Sequence, residues 1–226
     1  MKRAAVIAGT PVDTRMGVDF LERKNEEAGE RLIEAVYLPA VEDCDAQHKL
    51  QYADDDLKRA VMDNLFDPEI EAGTRDFFIY CNSLSGAFDF DTYAVSKSME
   101  AGADINIYTP LQVYRKLGGL YSCIGVMAAN NISSHAIEEA FMASNQDIYV
   151  VGTGSMPVVR AIEDDMPPAD IVKNLGLADM ASYMKACGAE AIVLGCTHFP
   201  YFKDELAACT DLPLIDPAEE MYKALI

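Results

Sequence analysis

Two cysteines in this chain sit in matching local sequences. Gly73-Thr74-Arg75-Asp76-Phe77-Phe78-Ile79-Tyr80-Cys81-Asn82-Ser83 passes from a glycine, through an apolar run, to a thiol followed by small polar residues. Gly188-Ala189-Glu190-Ala191-Ile192-Val193-Leu194-Gly195-Cys196-Thr197-His198 does the same, and glycine and cysteine are eight positions apart in both. Any helix–strand–loop unit can share that spacing. A cysteine followed by small polar residues at the exit of both apolar runs is the less common feature. In an open parallel sheet, ligands bind beyond the carboxyl ends of the strands. Cys81 and Cys196 are therefore expected at a pocket mouth rather than in the core. If Asn82-Ser83 and Thr197-His198 open the following helices, their N–H groups point into the same space, where they favour a thiolate and attract a carboxylate.

Two thiols on opposite sides of one pocket could invert an acidic carbon, such as the α-carbon of an amino acid. One thiolate removes the proton from one face, and a thiol returns a proton to the other. Each sulfur is a base in one direction and an acid in the reverse direction. Cysteine suits the task because its pKa lies near working pH. Such a reaction needs no cofactor, and none is expected. The carbanion-like transition state would be stabilised by N–H and hydroxyl donors at the substrate carboxylate.

The elements that must position these thiols alternate. Short apolar runs rich in β-branched or aromatic residues lie at 4–8, 77–80, 105–108, 124–128, 148–151, 191–194 and 214–215. Helical patterns such as 134–143, 169–186 and 203–208 lie between them. Strands separated by helices predict βαβ units and a mostly parallel sheet, an α/β fold. The acidic runs 54–56 and 163–165 are expected as solvated faces or helix starts.

The chain has 226 residues, half of them apolar, and a formal charge of −19. That charge argues against a general nucleic-acid binder, which must neutralise phosphates with a basic surface. No apolar run is long enough to span a bilayer, and the start of the chain reads as a first strand rather than a signal peptide. Six cysteines without CxxC spacing suggest reduced thiols and a cytoplasmic protein. Cys44, Cys123, Cys187 and Cys209 are expected to be structural, and His48 and His135 to be surface or capping residues. Cys196 and His198 have no second ligand pair, so no metal is expected. Gly152-Thr153-Gly154-Ser155-Met156-Pro157 begins like a dinucleotide loop but has proline in place of the last glycine.

Leu194-Gly195-Cys196-Thr197-His198-Phe199-Pro200 closely resembles the LGCTHYP signature of glutamate racemases. Tyr80-Cys81-Asn82-Ser83 resembles that family's first-cysteine CNT motif, with Ser83 for the threonine. Gly125-Val126-Met127-Ala128-Ala129 followed by Asn130-Asn131 is similar to its GV-x-AT strand and loop. Val158-Val159-Arg160-Ala161-Ile162-Glu163 is similar to its VPLVE segment, and Ile215-Asp216-Pro217-Ala218-Glu219 to its IDSAE. The matches run in family order from about residue 75 to the end.

The resemblance implies the aspartate/glutamate racemase superfamily: two flavodoxin-like parallel-sheet lobes facing a central cleft, with the C-terminus returning to the first lobe. The lobes are expected at residues 1–94 with 210–226, and at 95–209. It implies that Cys81 takes the proton from the D substrate and Cys196 from the L substrate, with His198 and Glu163 supporting Cys196. Asn82, Ser83 and Thr197 would hold the substrate's carboxylate and amino group. It also implies a small acidic amino acid as substrate, a homodimer, and supply of a D-amino acid for the bacterial cell wall.

The N-terminal stretch departs from the family. Its DSGxGG loop corresponds here to Gly9-Thr10-Pro11-Val12-Asp13-Thr14-Arg15-Met16-Gly17, with extra residues before Asp13. Asp13 is the candidate base-assisting carboxylate, with Thr10 as the alternative occupant of that space. The family's PYG substrate loop has no clear counterpart, Tyr37-Leu38-Pro39-Ala40 lying nearby without the Tyr-Gly, and Arg15 and Asn130 are candidates for side-chain recognition. Aspartate racemase, hydantoin racemase, a maleate-isomerase-like enzyme using one thiol as nucleophile, and a non-catalytic sensor of acidic metabolites are the alternatives.

Overall fold

The computed structural model describes residues 1–226. In the first half of the chain the elements are β1 (Lys2–Ala8), α1 (Pro11–Ala28), β2 (Ile33–Pro39), α2 (Cys44–Gln51), α3 (Asp55–Glu71), β3 (Asp76–Ile79), α4 (Asn82–Ala87), α5 (Phe90–Ala101) and β4 (Asn106–Tyr108). Then follow α6 (Pro110–Leu117), β5 (Cys123–Ala128), α7 (Asn131–Met142), β6 (Tyr149–Gly154), α8 (Met156–Glu163), α9 (Pro168–Asn174), α10 (Leu177–Ala186), β7 (Ile192–Gly195), α11 (Lys203–Ala207), β8 (Leu214–Ile215) and α12 (Pro217–Leu225). No helix is long and apolar enough to cross a membrane.

The strands form two four-stranded sheets, ordered β2-β1-β3-β4 and β6-β5-β7-β8, and every pairing is parallel. Both orders are the same once renumbered, and both are the flavodoxin-like order, which reverses direction between its first and third strands. The central strands are buried along their apolar length, as expected where helices cover both faces of a sheet. The edge strands β2 and β6 are only partly buried. Strand β2 carries Glu34 and ends on Pro39, so its run is weakly apolar, and the sequence pattern did not single it out.

The chain divides into two compact units, residues 1–110 with 218–226 and residues 111–217. These boundaries differ from 94/95 and 209/210 for a plain reason. Strand β4 pairs with β3 and so carries residues 95–108 into the first unit, while β8 pairs with β7 and holds 214–215 in the second. The chain's end returns to the first unit through α12. Lys24 pairs with Glu219 at 2.9 Å, and Tyr222 meets Phe20 edge-on.

The core of the second unit centres on Tyr114, Ile124, Val126, Ile137, Phe141 and Val193. The helix expected at 169–186 is broken in two. Gly176 adopts φ +69°, a left-handed conformation that ends one helix and starts the next. Asp54 caps α3 by accepting Leu57 N–H, so the first acidic run is a helix start. The second is a helix end: α8 stops at Glu163, and Asp165 turns left-handed at φ +55°.

Candidate active site

The sequence echo has a structural counterpart in each unit. Helix α3 ends on Gly73 at φ +96°, and α10 ends on Gly188 at φ +95°. In both, the next N–H reaches back five residues, Thr74 to Glu69 and Ala189 to Met184, closing the same helix cap. Each turn feeds the third strand of its sheet, β3 or β7, and each strand delivers a buried cysteine at its carboxyl end. That end lies beside the exit of the first strand, β1 or β5, which is where the sheet reverses direction and where ligands bind in this topology.

In the first unit, β1 runs out at Gly9-Thr10. Thr10 caps α1 in a capping box with Asp13. Asp13 Oδ1 accepts Thr10 N–H at 2.6 Å and the Thr10 hydroxyl at 2.8 Å, and Oδ2 accepts Gly9 N–H at 3.3 Å. Both side chains are buried. Asp13 thus shapes the loop after β1, and Gly17 lets α1 lie close on the sheet. A Cβ there would stand 2.8 Å from Val6 and Tyr80 side-chain carbons. Arg15 stacks over the Tyr37 ring, 4.8 Å from its centroid.

Cys81 is the N-cap of α4. Its Sγ accepts Leu84 N–H at 3.3 Å and, from a helix 34 residues away, Gln47 Nε2 at 3.0 Å. Hydrogen bonds to a thiolate favour it over the thiol. Asn82 and Ser83 follow in the first turn of α4, both buried. Gln47 was missed by the sequence reading. It is 34 positions from Cys81 in the chain and belongs to no motif, so spacing carried no signal for it.

In the second unit, β5 runs out at Ala129-Asn130, and Asn130 caps α7. Its Oδ1 accepts Ser133 N–H at 2.9 Å and the Ser133 hydroxyl at 3.0 Å. The loop is pressed against β6, because a Cβ on Gly154 would come within 2.3 Å of the Asn130 carbonyl carbon. A Cβ on Gly152 would come within 2.3 Å of the Ser134 hydroxyl. These glycines serve helix–strand packing, which accounts for the incomplete dinucleotide-like motif. Beyond β7, Cys196, Thr197 and His198 are buried and lead into a 3-10 turn at Phe199–Phe202. The helix expected to open at Thr197-His198 is therefore a tighter turn.

Cys196 Sγ lies 3.6 Å from His198 Nδ1, and His198 Nε2 lies 3.3 Å from Glu163 Oε1. An ionised Glu163 accepts from Nε2–H. That leaves the Nδ1 lone pair toward sulfur, where it can take the thiol proton. Of the residues expected to serve chemistry, the structure joins Thr10 with Asp13, and Cys196 with His198 and Glu163. It adds Gln47 to Cys81. Cys187 and Cys209, expected to be structural, are exposed.

Residues 110–225 match the family model for Asp/Glu/Hydantoin racemases. A glutamate racemase of Oenococcus oeni is 28% identical over 97 residues, 40% of this chain and 34% of the relative. One of Haemophilus influenzae is 31% identical over 108 residues, 45% of this chain and 39% of the relative. The matched stretch thus spans little more than a third of these relatives. Among solved structures, glutamate racemase from Francisella tularensis in complex with D-glutamate superposes with a TM-score of 0.69 at 20% identity, over 99% of this chain and 79% of that one. Aspartate racemase of Picrophilus torridus gives 0.62 at 13%, over 100% and 93%. At such identities the likeness is one of fold.

Proposed function

The chain belongs to the Asp/Glu/hydantoin racemase family, and from that premise we propose that it is a cofactor-independent racemase of an acidic amino acid, glutamate first. The observation that carries the reading is the pair of buried cysteines at corresponding strand exits of two sheets with one topology. In the L-to-D direction, Cys196 thiolate takes the α-proton and the Cys81 thiol delivers its own proton to the opposite face. The C–H bond broken on one side is replaced by one formed on the other, and the two sulfurs exchange protonation states. The reverse reaction exchanges their roles.

Glu163 holds His198 in the tautomer that accepts the Cys196 proton. Asn82, Ser83 and Thr197 bind the α-carboxylate and amino group, which stabilises charge developing at the α-carbon. Asp13 and Thr10 shape the loop beside Cys81, and Asn130 contributes to side-chain recognition. A reducing cytoplasm keeps both thiols available. The protein acts as a homodimer and supplies a D-amino acid for peptidoglycan.

Aspartate is the second reading. The end of β2 and the residues that follow, Pro39-Ala40-Val41, lack the Tyr-Gly of the family's substrate loop, so the side-chain pocket is built differently. Incubating the protein with L-glutamate, L-aspartate and maleate, followed by chiral chromatography, separates the possibilities. D-glutamate as the main product supports the proposal. D-aspartate or fumarate as the main product reassigns the substrate, and no turnover of any of them contradicts it.

A further inference from the structure

We propose that Gln47 is a positioning residue for Cys81, donating its carboxamide N–H to Sγ across the bare backbone of Gly9, which orients the sulfur and favours its thiolate form. The catalytic consequence rests on the racemase reading; the hydrogen bond and its effect on the sulfur do not.

Two independent observations carry it. Gln47 Nε2 lies 3.0 Å from Cys81 Sγ, well inside the reach of an N–H···S bond, and Sγ has a second donor in Leu84 N–H. The carboxamide also occupies the space where any other residue at position 9 would place its Cβ. A Cβ on Gly9 would fall 2.0 Å from Gln47 Cδ and 2.3 Å from Nε2. Gly9 has no left-handed backbone that would demand glycine. Its lack of a side chain serves the close approach of Gln47.

The two thiols are then supported by different chemistry. Cys196 faces an imidazole paired with a carboxylate, which can itself gain and lose a proton. Cys81 faces two amide N–H groups, which cannot. An amide donor lowers the energy of the thiolate without competing for the proton.

The titratable and charged groups nearest this sulfur in the chain on the surrounding elements include Asp13 and Arg15 on α1, Cys44, Asp45, His48 and Lys49 on α2, and Tyr80 beside it. All remain in the variants used as tests, so a difference between variants reports on position 47. The protein labelled with β-13C cysteine is titrated by NMR, with the Cys81 resonance identified by its loss in Cys81→Ser. Gln47→Leu is expected to raise the pH midpoint of Cys81 by about one unit. Gln47→Glu, of the same size, is expected to raise it further, because a carboxylate opposes the thiolate. Gly9→Ala displaces the carboxamide and is expected to match Gln47→Leu. The Cys196 resonance stays put in all three. A Cys81 midpoint unchanged in Gln47→Glu and Gly9→Ala overturns the assignment, even if Gln47→Leu fails to fold. No substrate is present, so a chain that shows the shift but does not racemise retains Gln47's role and loses the function. A chain that racemises without the shift does the reverse.

Discussion

His198 Nε2 lies 3.3 Å from Glu163 Oε1, and the opposite nitrogen of the same ring faces Cys196 Sγ at 3.6 Å. The last residue of α8 thereby sets the tautomer of a histidine in a different loop, and through it the proton acceptor available to the thiol. Glu163→Gln keeps the size of the side chain but can donate to Nε2, which turns Nδ1 into an N–H pointing at sulfur. The expected result is a loss in kcat of roughly 10²-fold with little change in KM. Steady-state kinetics checks this, with urea unfolding to show that stability has not changed in parallel.

Asp13 is a different kind of carboxylate. It accepts from Gly9 N–H, Thr10 N–H and the Thr10 hydroxyl, and it is buried. Asp13→Asn replaces one acceptor oxygen by a donor NH2 that meets another donor. The variant is expected to lose about 1–2 kcal/mol of stability, measured as a lower urea midpoint at unchanged slope.

Gly154 is held by backbone rather than side chains. A Cβ there meets the carbonyl carbon of Asn130 at 2.3 Å and the nitrogen of Asn131 at 2.5 Å, neither of which can swing aside. Gly154→Ala should cost about 3 kcal/mol or more, at the upper end of overpacking effects. Gly119→Ala, where a Cβ meets nothing within 4 Å, is the control. Thermal unfolding of the two side by side gives the comparison, and equal melting temperatures would rule out the clash.

Lys97 staples α5 to α3 in the first unit. Its buried ammonium reaches Asp63 at 2.9 Å, Asp67 at 2.5 Å and Glu100 at 3.1 Å. Burial acts against ionisation of Asp63, but hydrogen bonds from Lys97 and Tyr93 outweigh it and hold the carboxyl below its ordinary range. The hydrogen bond from Lys97 likewise lowers Glu100. A carboxyl depressed in the folded state contributes stability that is present above its unfolded pKa, near 4, and is lost as pH falls through the lower folded value. Lys97→Met should therefore destabilise the fold at neutral pH, and by clearly less near pH 3. Urea unfolding at the two pH values measures the difference.

The parts of this fold legible in the sequence are those where burial and chemistry coincide. Strands β3 and β7 carry the apolar runs 77–79 and 192–194 because helices cover both faces, and each leads to a cysteine in a motif, so both the strands and the thiols were found. Strand β2 escaped because an edge strand is only half buried and its pattern is diluted by Glu34. The break between α9 and α10 was missed because a lone Gly176 is tolerated in many helices, and only its left-handed φ shows that the chain turns there. The unit boundaries were displaced because strand pairing, which sequence does not display, decides to which sheet β4 and β8 belong. Gln47 was invisible for a related reason. It is a neutral side chain brought to Cys81 by the packing of α2, and no spacing rule connects positions 47 and 81.

The most direct test of two thiols acting on opposite faces of one carbon is the isotope content of both enantiomers during the first few per cent of turnover in D2O. A thiol carries a single proton, so the hydrogen removed by Cys196 cannot reach the face served by Cys81. Starting from L-glutamate, the expected product is D-glutamate that carries deuterium at the α-carbon while the remaining L-glutamate keeps its protium. No D-glutamate is expected from Cys81→Ser or Cys196→Ser. D-glutamate that retains the original protium, or full racemisation by either serine variant, would overturn the two-thiol mechanism.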